Sequence, residues 1–194
     1  MKLATALRWW PPIGIVAMLM LGWSVGKGPT PVDDWYTRVA RAAVGPYPSW
    51  MLIFTEWSVL GPALAICVVV ALYRRHWRLA AVSVLTPLAA IETTEASKRL
   101  FDRHIGGALA YPSGHMTLVL AVVGIVVITS GFRRWALVVA VCVSGLTMFG
   151  LACTYHYLTD TIGAVLLTTA ILCIAARLAT RAPAESGVPA VDRV

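Results

Sequence analysis

Residues 50–98 read WMLIFTEWSVLGPALAICVVVALYRRHWRLAAVSVLTPLAAIETTEASK, two long apolar runs parted by a basic cluster. The runs cover about residues 50–73 and 77–97. A bilayer core about 30 Å thick takes about 20 residues of helix to cross, so each run has the length of a membrane span. Neither shows the strict alternation of a barrel strand, which leaves the helix as the way to satisfy the backbone in hydrocarbon.

Similar runs recur at about residues 11–25, 115–130, 135–153 and 157–179, and together they predict an all-α bundle of six transmembrane helices over residues 1–180. Composition agrees: of 194 residues, 59% are hydrophobic and 13% charged, against about 25% charged in an ordinary soluble domain. The first run follows Trp9, Trp10, Pro11 and Pro12. It has the length of a secretory signal core, but no Ala-x-Ala site follows it and five further runs do, so it reads as a retained helix.

A net charge of +7 raises the question of nucleic acid. The basic residues sit in short clusters at the ends of apolar runs and form no stripe, a pattern of membrane topology and not of nucleic-acid binding. The six-helix arrangement puts Lys2, Arg8, Arg74, Arg75, Arg78, Arg133, Arg134, Arg177, Arg181 and Arg193 on one side, and Lys27, Arg38, Arg41, Lys98, Arg99 and Arg103 on the other. The richer side is the cytoplasmic one. The expectation is a multi-pass protein of a bacterial plasma membrane with both termini cytoplasmic and the connections 26–49, 98–114 and 154–156 outside.

The connection 26–49 opens with GKGPTPVDD, where glycine and proline break helix and Asp33 or Asp34 can cap a new one. A short amphipathic helix around residues 33–44 at the outer interface is expected. Residues 181–194 read as a disordered cytoplasmic tail. Cys67, Cys142, Cys153 and Cys173 fall in or beside apolar runs and read as packing residues, with no spacing for a zinc or iron-sulfur site. Glu56, Glu92 and Glu95 are ionisable groups in or near spans. Glu95 and Lys98 have the spacing of an ion pair on one helix face.

The outward ends of three runs gather the remaining polar chemistry: KRLFDRH at 98–104, YPSGH at 111–115 and YHYLTD at 155–160. This set suits a phosphate. Ser113, Gly114 and His115 lie where the chain turns into helix, so free amides can hold an oxyanion. Lys98 and Arg103 can neutralise its non-bridging oxygens. His156 and Asp160 have the spacing of one helix face, so the carboxylate can hold one ring nitrogen and leave the other as nucleophile. His115 can protonate a leaving alkoxide.

On Lys98, on PSGH at 112–115 and on His156-x-x-x-Asp160, the chain resembles the type 2 phosphatidic acid phosphatases, membrane lipid phosphatases related to vanadium haloperoxidases. The resemblance covers about residues 50–180. It implies a six-helix bundle with its site at the outer membrane face, His156 as the nucleophile that becomes a phosphohistidine, Asp160 as its orienting partner and His115 as general acid. It also implies Lys98, Arg103, Ser113 and Gly114 as phosphate ligands, and no metal or other cofactor.

Two positions depart from that family's pattern. The family has Lys, six residues, then Arg-Pro, where this chain has Ile105 and Gly106, and Arg103 is the nearest substitute. The family's Ser-Arg ahead of the nucleophile is replaced by Phe149 and Gly150. Arg99, His104 and Arg41 are auxiliary candidates for the missing charge. The expected activity is hydrolysis of a membrane lipid phosphate or diphosphate, on a phospholipid such as phosphatidic acid or phosphatidylglycerol phosphate or on a polyprenyl carrier. Phosphate transfer to another acceptor and non-catalytic binding or transport are the alternatives. The partners expected are the bilayer and the lipid phosphate, with no nucleic acid.

Overall fold

Thr30 starts a helix by a reciprocal cap: its hydroxyl accepts from the Asp33 amide at 3.2 Å, and the Asp33 carboxylate accepts from the Thr30 amide at 2.9 Å. Pro31 sits in the first turn, where its missing amide costs nothing. Ser113 starts another, its hydroxyl accepting from the Met116 amide at 3.4 Å just after a cis Tyr111–Pro112 bond. Asp102, at φ 50°, stops the helix before it in the left-handed region. Thr30 is thus the cap that the sequence reading assigned to Asp33 or Asp34.

The computed structural model describes residues 3–180. Its helices are α1 (Leu3–Val25), α2 (Pro31–Val44), α3 (Trp57–Tyr73), α4 (Trp77–Phe101), α5 (Gly114–Thr129), α6 (Arg134–Thr154) and α7 (Leu158–Thr180). A 3-10 helix, Ser49–Thr55, leads into α3. The two-residue strands β1 (His104–Ile105) and β2 (Ala108–Leu109) pair antiparallel between α4 and α5. The tail expected at 181–194 lies outside the described residues.

The chain is an all-α bundle of helices, but the expected six spans are corrected to four. Among the described residues, Ser49–Tyr73, Trp77–Phe101, Arg134–Thr154 and Leu158–Thr180 are long and apolar enough to cross a membrane. Helix α5 has 16 residues, which at about 1.5 Å per residue is about 24 Å, short of a bilayer core. Helix α1 carries Arg8, Trp9, Trp10, Pro11 and Pro12 in its first half, and its continuous apolar part is only residues 13–25. An apolar run thus marks burial as readily as a span, and α5 is the clear case, with Met116, Val119, Ala121, Val122 and Ile125 buried against its neighbours.

Helix α1 lies antiparallel along α7, with the Trp10 indole donating to Thr169 Oγ1 at 2.9 Å. At one end of the bundle Leu7, Leu79, Phe132 and Ala179 pack round Cys67, Ile125, Ile128, Ala175 and Ala176. The short turns bearing Arg74, Arg75, Arg133 and Arg134 are at this end. At the other end Met18, Phe101, Tyr111 and Leu167 form a second cluster with Leu21 and Val25. The segments 98–104, 111–115 and 155–160 meet there.

Candidate functional site

Tyr111 anchors the turn into α5. Its ring is fully buried, its hydroxyl donates to the Met18 carbonyl at 2.6 Å, and Phe101 meets it edge-on at 5.0 Å. Gly22 of α1 and Gly163 of α7 make the slot: a Cβ on either would come within 2.7 or 2.5 Å of the ring. The turn is also tied to α7, because the Ser113 amide donates to the Asp160 carbonyl at 3.1 Å.

Lys98 reaches this turn from α4. Its ammonium pairs with Glu95 Oε1 at 2.7 Å, and a Cβ on Gly114 would stand 3.3 Å from Lys98 Nζ. Glycine therefore lets the ammonium close on the amino end of α5, where the Gly114 and His115 amides have no acceptor within the helix. The His115 and His156 rings meet edge-on, with centroids 6.0 Å apart and planes at 62°. His156 Nδ1 is buried without a hydrogen-bond partner, 3.8 Å from Asp160 Oδ2, and Nε2 is left for the open side. A pocket of about 670 Å3 joins Lys98, Gly114, His115 and His156, with Glu95, Ile91 and Leu118 in its wall. Glu56, at the start of α3, acts electrostatically on His115.

His156 and Asp160 were expected on one helix face, but α7 begins at Leu158 and His156 precedes it. The two still meet because Asp160 Oδ2 accepts from the Tyr157 amide at 3.0 Å and folds the link back. Asp160 stands behind His156, outside the pocket lining. The Ser113 hydroxyl caps α5 in place of lining the pocket, so the first-turn amides are what the turn offers an anion.

Arg103 is placed away from the pocket. It was expected to hold phosphate, yet it is fully buried and lines no part of the pocket. One terminal nitrogen donates to Asp160 Oδ1 and Thr159 Oγ1, both at 2.7 Å; the other donates to the Gly28 carbonyl at 2.8 Å and to Asp33 Oδ2 at 3.0 Å. Its guanidinium stacks on the Tyr157 ring at 4.5 Å. Asp33 also accepts from the Thr159 amide at 2.9 Å and hydroxyl at 3.0 Å. Burial acts against the Asp33 carboxylate, but the hydrogen bonds from Thr159 and Thr30 outweigh it and hold its carboxyl below the usual carboxylate range.

The auxiliary cations are elsewhere too. Arg99 is exposed on α4, and His104 is exposed on β1 with Nδ1 3.1 Å from the Asp102 carbonyl. Arg41 Nε donates to the Cys153 carbonyl at 2.9 Å, and the side chain lines a separate cavity of about 420 Å3 with Arg38 and Tyr157. At the two departing positions, Ile105 and Gly106 do line the pocket. Phe149 packs edge-on against Tyr36 at 5.8 Å, and a Cβ on Gly150 would be 2.8 Å from Met51 Cβ. These residues bring α2 and the 3-10 helix against α6, where a charged side chain would not fit.

Sequence reasoning missed Tyr111, Gly22, Gly163, Asp33 and Thr159 as parts of the site's frame. Thr30-x-x-Asp33 is a legible capping signature, but its second use is not local. Among the described residues no group of three or more His, Cys, Asp and Glu side chains is placed to hold a metal. Compared with protein-family models, curated proteins and solved structures, the chain matches none.

Proposed function

We propose that this multi-span membrane protein is a lipid phosphate phosphatase that works through a phosphohistidine, without a metal. The observation that carries the reading is the single pocket onto which Lys98, the amino end of α5, His115 and His156 converge, with Asp160 behind the His156 ring. Each group has a role there. Lys98 and the Gly114 and His115 amides hold the phosphoryl oxygens. His156 Nε2 attacks phosphorus, the bond to the ester or anhydride oxygen breaks, and His115 gives that oxygen its proton. His115, now neutral, takes a proton from water as the water oxygen attacks phosphorus, and the phosphorus–nitrogen bond breaks to release phosphate and restore His156.

The apolar wall at Ile91 and Leu118 and the membrane spans around it suit a phosphate carried on a lipid, either a phospholipid or a polyprenyl phosphate or diphosphate. The arginine-rich turns at the far end of the bundle suit a cytoplasmic face, which supports a pocket open to the extracytoplasmic side of a bacterial plasma membrane. The test is phosphate release by the purified protein in detergent with chelator present. Phosphatidic acid, phosphatidylglycerol phosphate and a polyprenyl diphosphate are the substrates, each beside His156→Ala. Release that falls to background in the variant is the expected result; release that survives it, or none from any substrate, rejects the reading.

One observation favours a second reading, a phosphotransferase or a binding protein. Among the described residues, Lys98 is the one lysine or arginine in the pocket lining. Losing a donor to the transferring phosphoryl group lowers the rate by roughly a hundredfold or more. Lipid-phosphate binding without release, or release only when an alcohol acceptor is added, would select this reading.

A further inference from the structure

The buried cluster behind the pocket has one positive and two negative groups. Arg103 lies between Asp33 and Asp160, and all three side chains are fully buried. The excess is one negative charge; within the cluster Arg103 Nε has no partner, and beside it His156 Nδ1, also without a partner, lies 3.8 Å from Asp160 Oδ2. Asp160 Oδ2 already accepts from the Tyr157 amide and has a second lone pair to offer; a hydrogen on Nδ1 would use it and leave Nε2 bare. Asp160 can present Oδ2 in that direction only while Oδ1 is held elsewhere, and Arg103 holds it at 2.7 Å. The same guanidinium reaches Asp33 and the Gly28 carbonyl, so the α1–α2 link and the first turn of α2 brace it from behind.

We propose that Arg103 is a positioning residue: through Asp160 it sets the orientation and tautomer of the His156 ring, and Asp33 fixes Arg103 in turn. It touches no substrate. The rate consequence rests on the phosphatase reading above, whereas the ring tautomer does not. Arginine is required because its planar fork spans two carboxylates, which a lysine ammonium cannot do. A pocket side chain would instead change how tightly phosphate binds.

The experiment uses the full chain in detergent, with the variants Arg103→Lys and Asp33→Asn beside Lys98→Ala. Three quantities are measured: kcat and KM for phosphate release, the Kd of orthovanadate, and the 15N signals of the histidine rings, with His156 assigned by their loss in His156→Ala. Arg103→Lys is expected to lower kcat about a hundredfold, the effect of a misplacement of about 1 Å, with KM and vanadate Kd within about twofold. The His156 ring should hold its hydrogen on Nδ1 in the native protein and move toward the Nε2 form in Arg103→Lys. Asp33→Asn keeps one acceptor oxygen, which can serve Arg103 and Thr30 but not the Thr159 amide as well, and with Arg103 still in place it should move the ring the same way by less. Vanadate binding weakened as far as in Lys98→Ala would make Arg103 a ligand and overturn the proposal. So would a ring tautomer unchanged in both variants. A native protein that releases no phosphate defeats the phosphatase reading alone, and the ring signals still decide the role of Arg103.

Discussion

Two polar clusters sit at the same end of the bundle, and they differ in how their hydrogen-bonding capacity is used. In the Asp33–Arg103–Asp160 cluster both terminal nitrogens and every carboxylate oxygen have partners at 2.7–3.0 Å, and Arg103 Nε alone has none. In the pocket, Lys98 has one carboxylate and the α5 amides have no acceptor in their helix. A nearly saturated cluster holds structure, because each group is fixed by several others. An unsaturated one offers capacity to a ligand. Charge alone does not tell them apart, since Arg103, expected to hold phosphate, is buried in the first cluster and outside the pocket.

Breaking the nearly saturated cluster should have the largest effect on folding. Arg103→Ala leaves two buried carboxylates facing each other and should cost about 3–5 kcal/mol, read as a large fall in unfolding temperature in detergent. Lys98→Ala should do the reverse. Lys98 is largely buried but its partner Glu95 is half exposed, so stability should change by about 1 kcal/mol or less. The rate, or vanadate affinity if the protein only binds, should fall about tenfold to a hundredfold for the loss of a charge-assisted hydrogen bond of about 1.5–3 kcal/mol. Equal stability losses in the two variants would erase the distinction.

The smallest effect sharpens the contrast through pH. Hydrogen bonds hold the Asp33 carboxyl below its ordinary value in the folded protein. The stabilisation is therefore complete above the unfolded value, about 3.9, and is lost as pH falls through the folded value. Unfolding temperature should drop on the acid side of pH 4 in the native protein, and the drop should be shallower in Asp33→Asn. An unchanged acid limb in that variant would assign the acid loss to other carboxylates.

Much of the pocket was legible because it depends on local chemistry. PSGH marks a helix start with free amides wherever it is placed, Glu95 and Lys98 meet by helix spacing, and His156 and Asp160 stay close even though one precedes the helix. The membrane character followed from apolar length in the same way. Whether a given run spans or is buried was not legible: α5 is as apolar as its neighbours yet is 16 residues long and enclosed by them. Hydropathy reports a preference for leaving water and is silent on whether lipid or protein is the destination.

Arg103 shows the same limit at a single residue. Its composition and place beside Lys98 pointed to phosphate, but its partners, at Gly28, Asp33, Thr159 and Asp160, come from segments far apart in the chain. So do the two glycines that admit the Tyr111 ring. Amino-acid order alone determined an apolar helical chain with phosphate-suited groups at three helix ends. Packing between distant segments determined which of those groups are left unsaturated, because a guanidinium binds whichever acceptors reach it first, and only the folded backbone brings them within 3 Å.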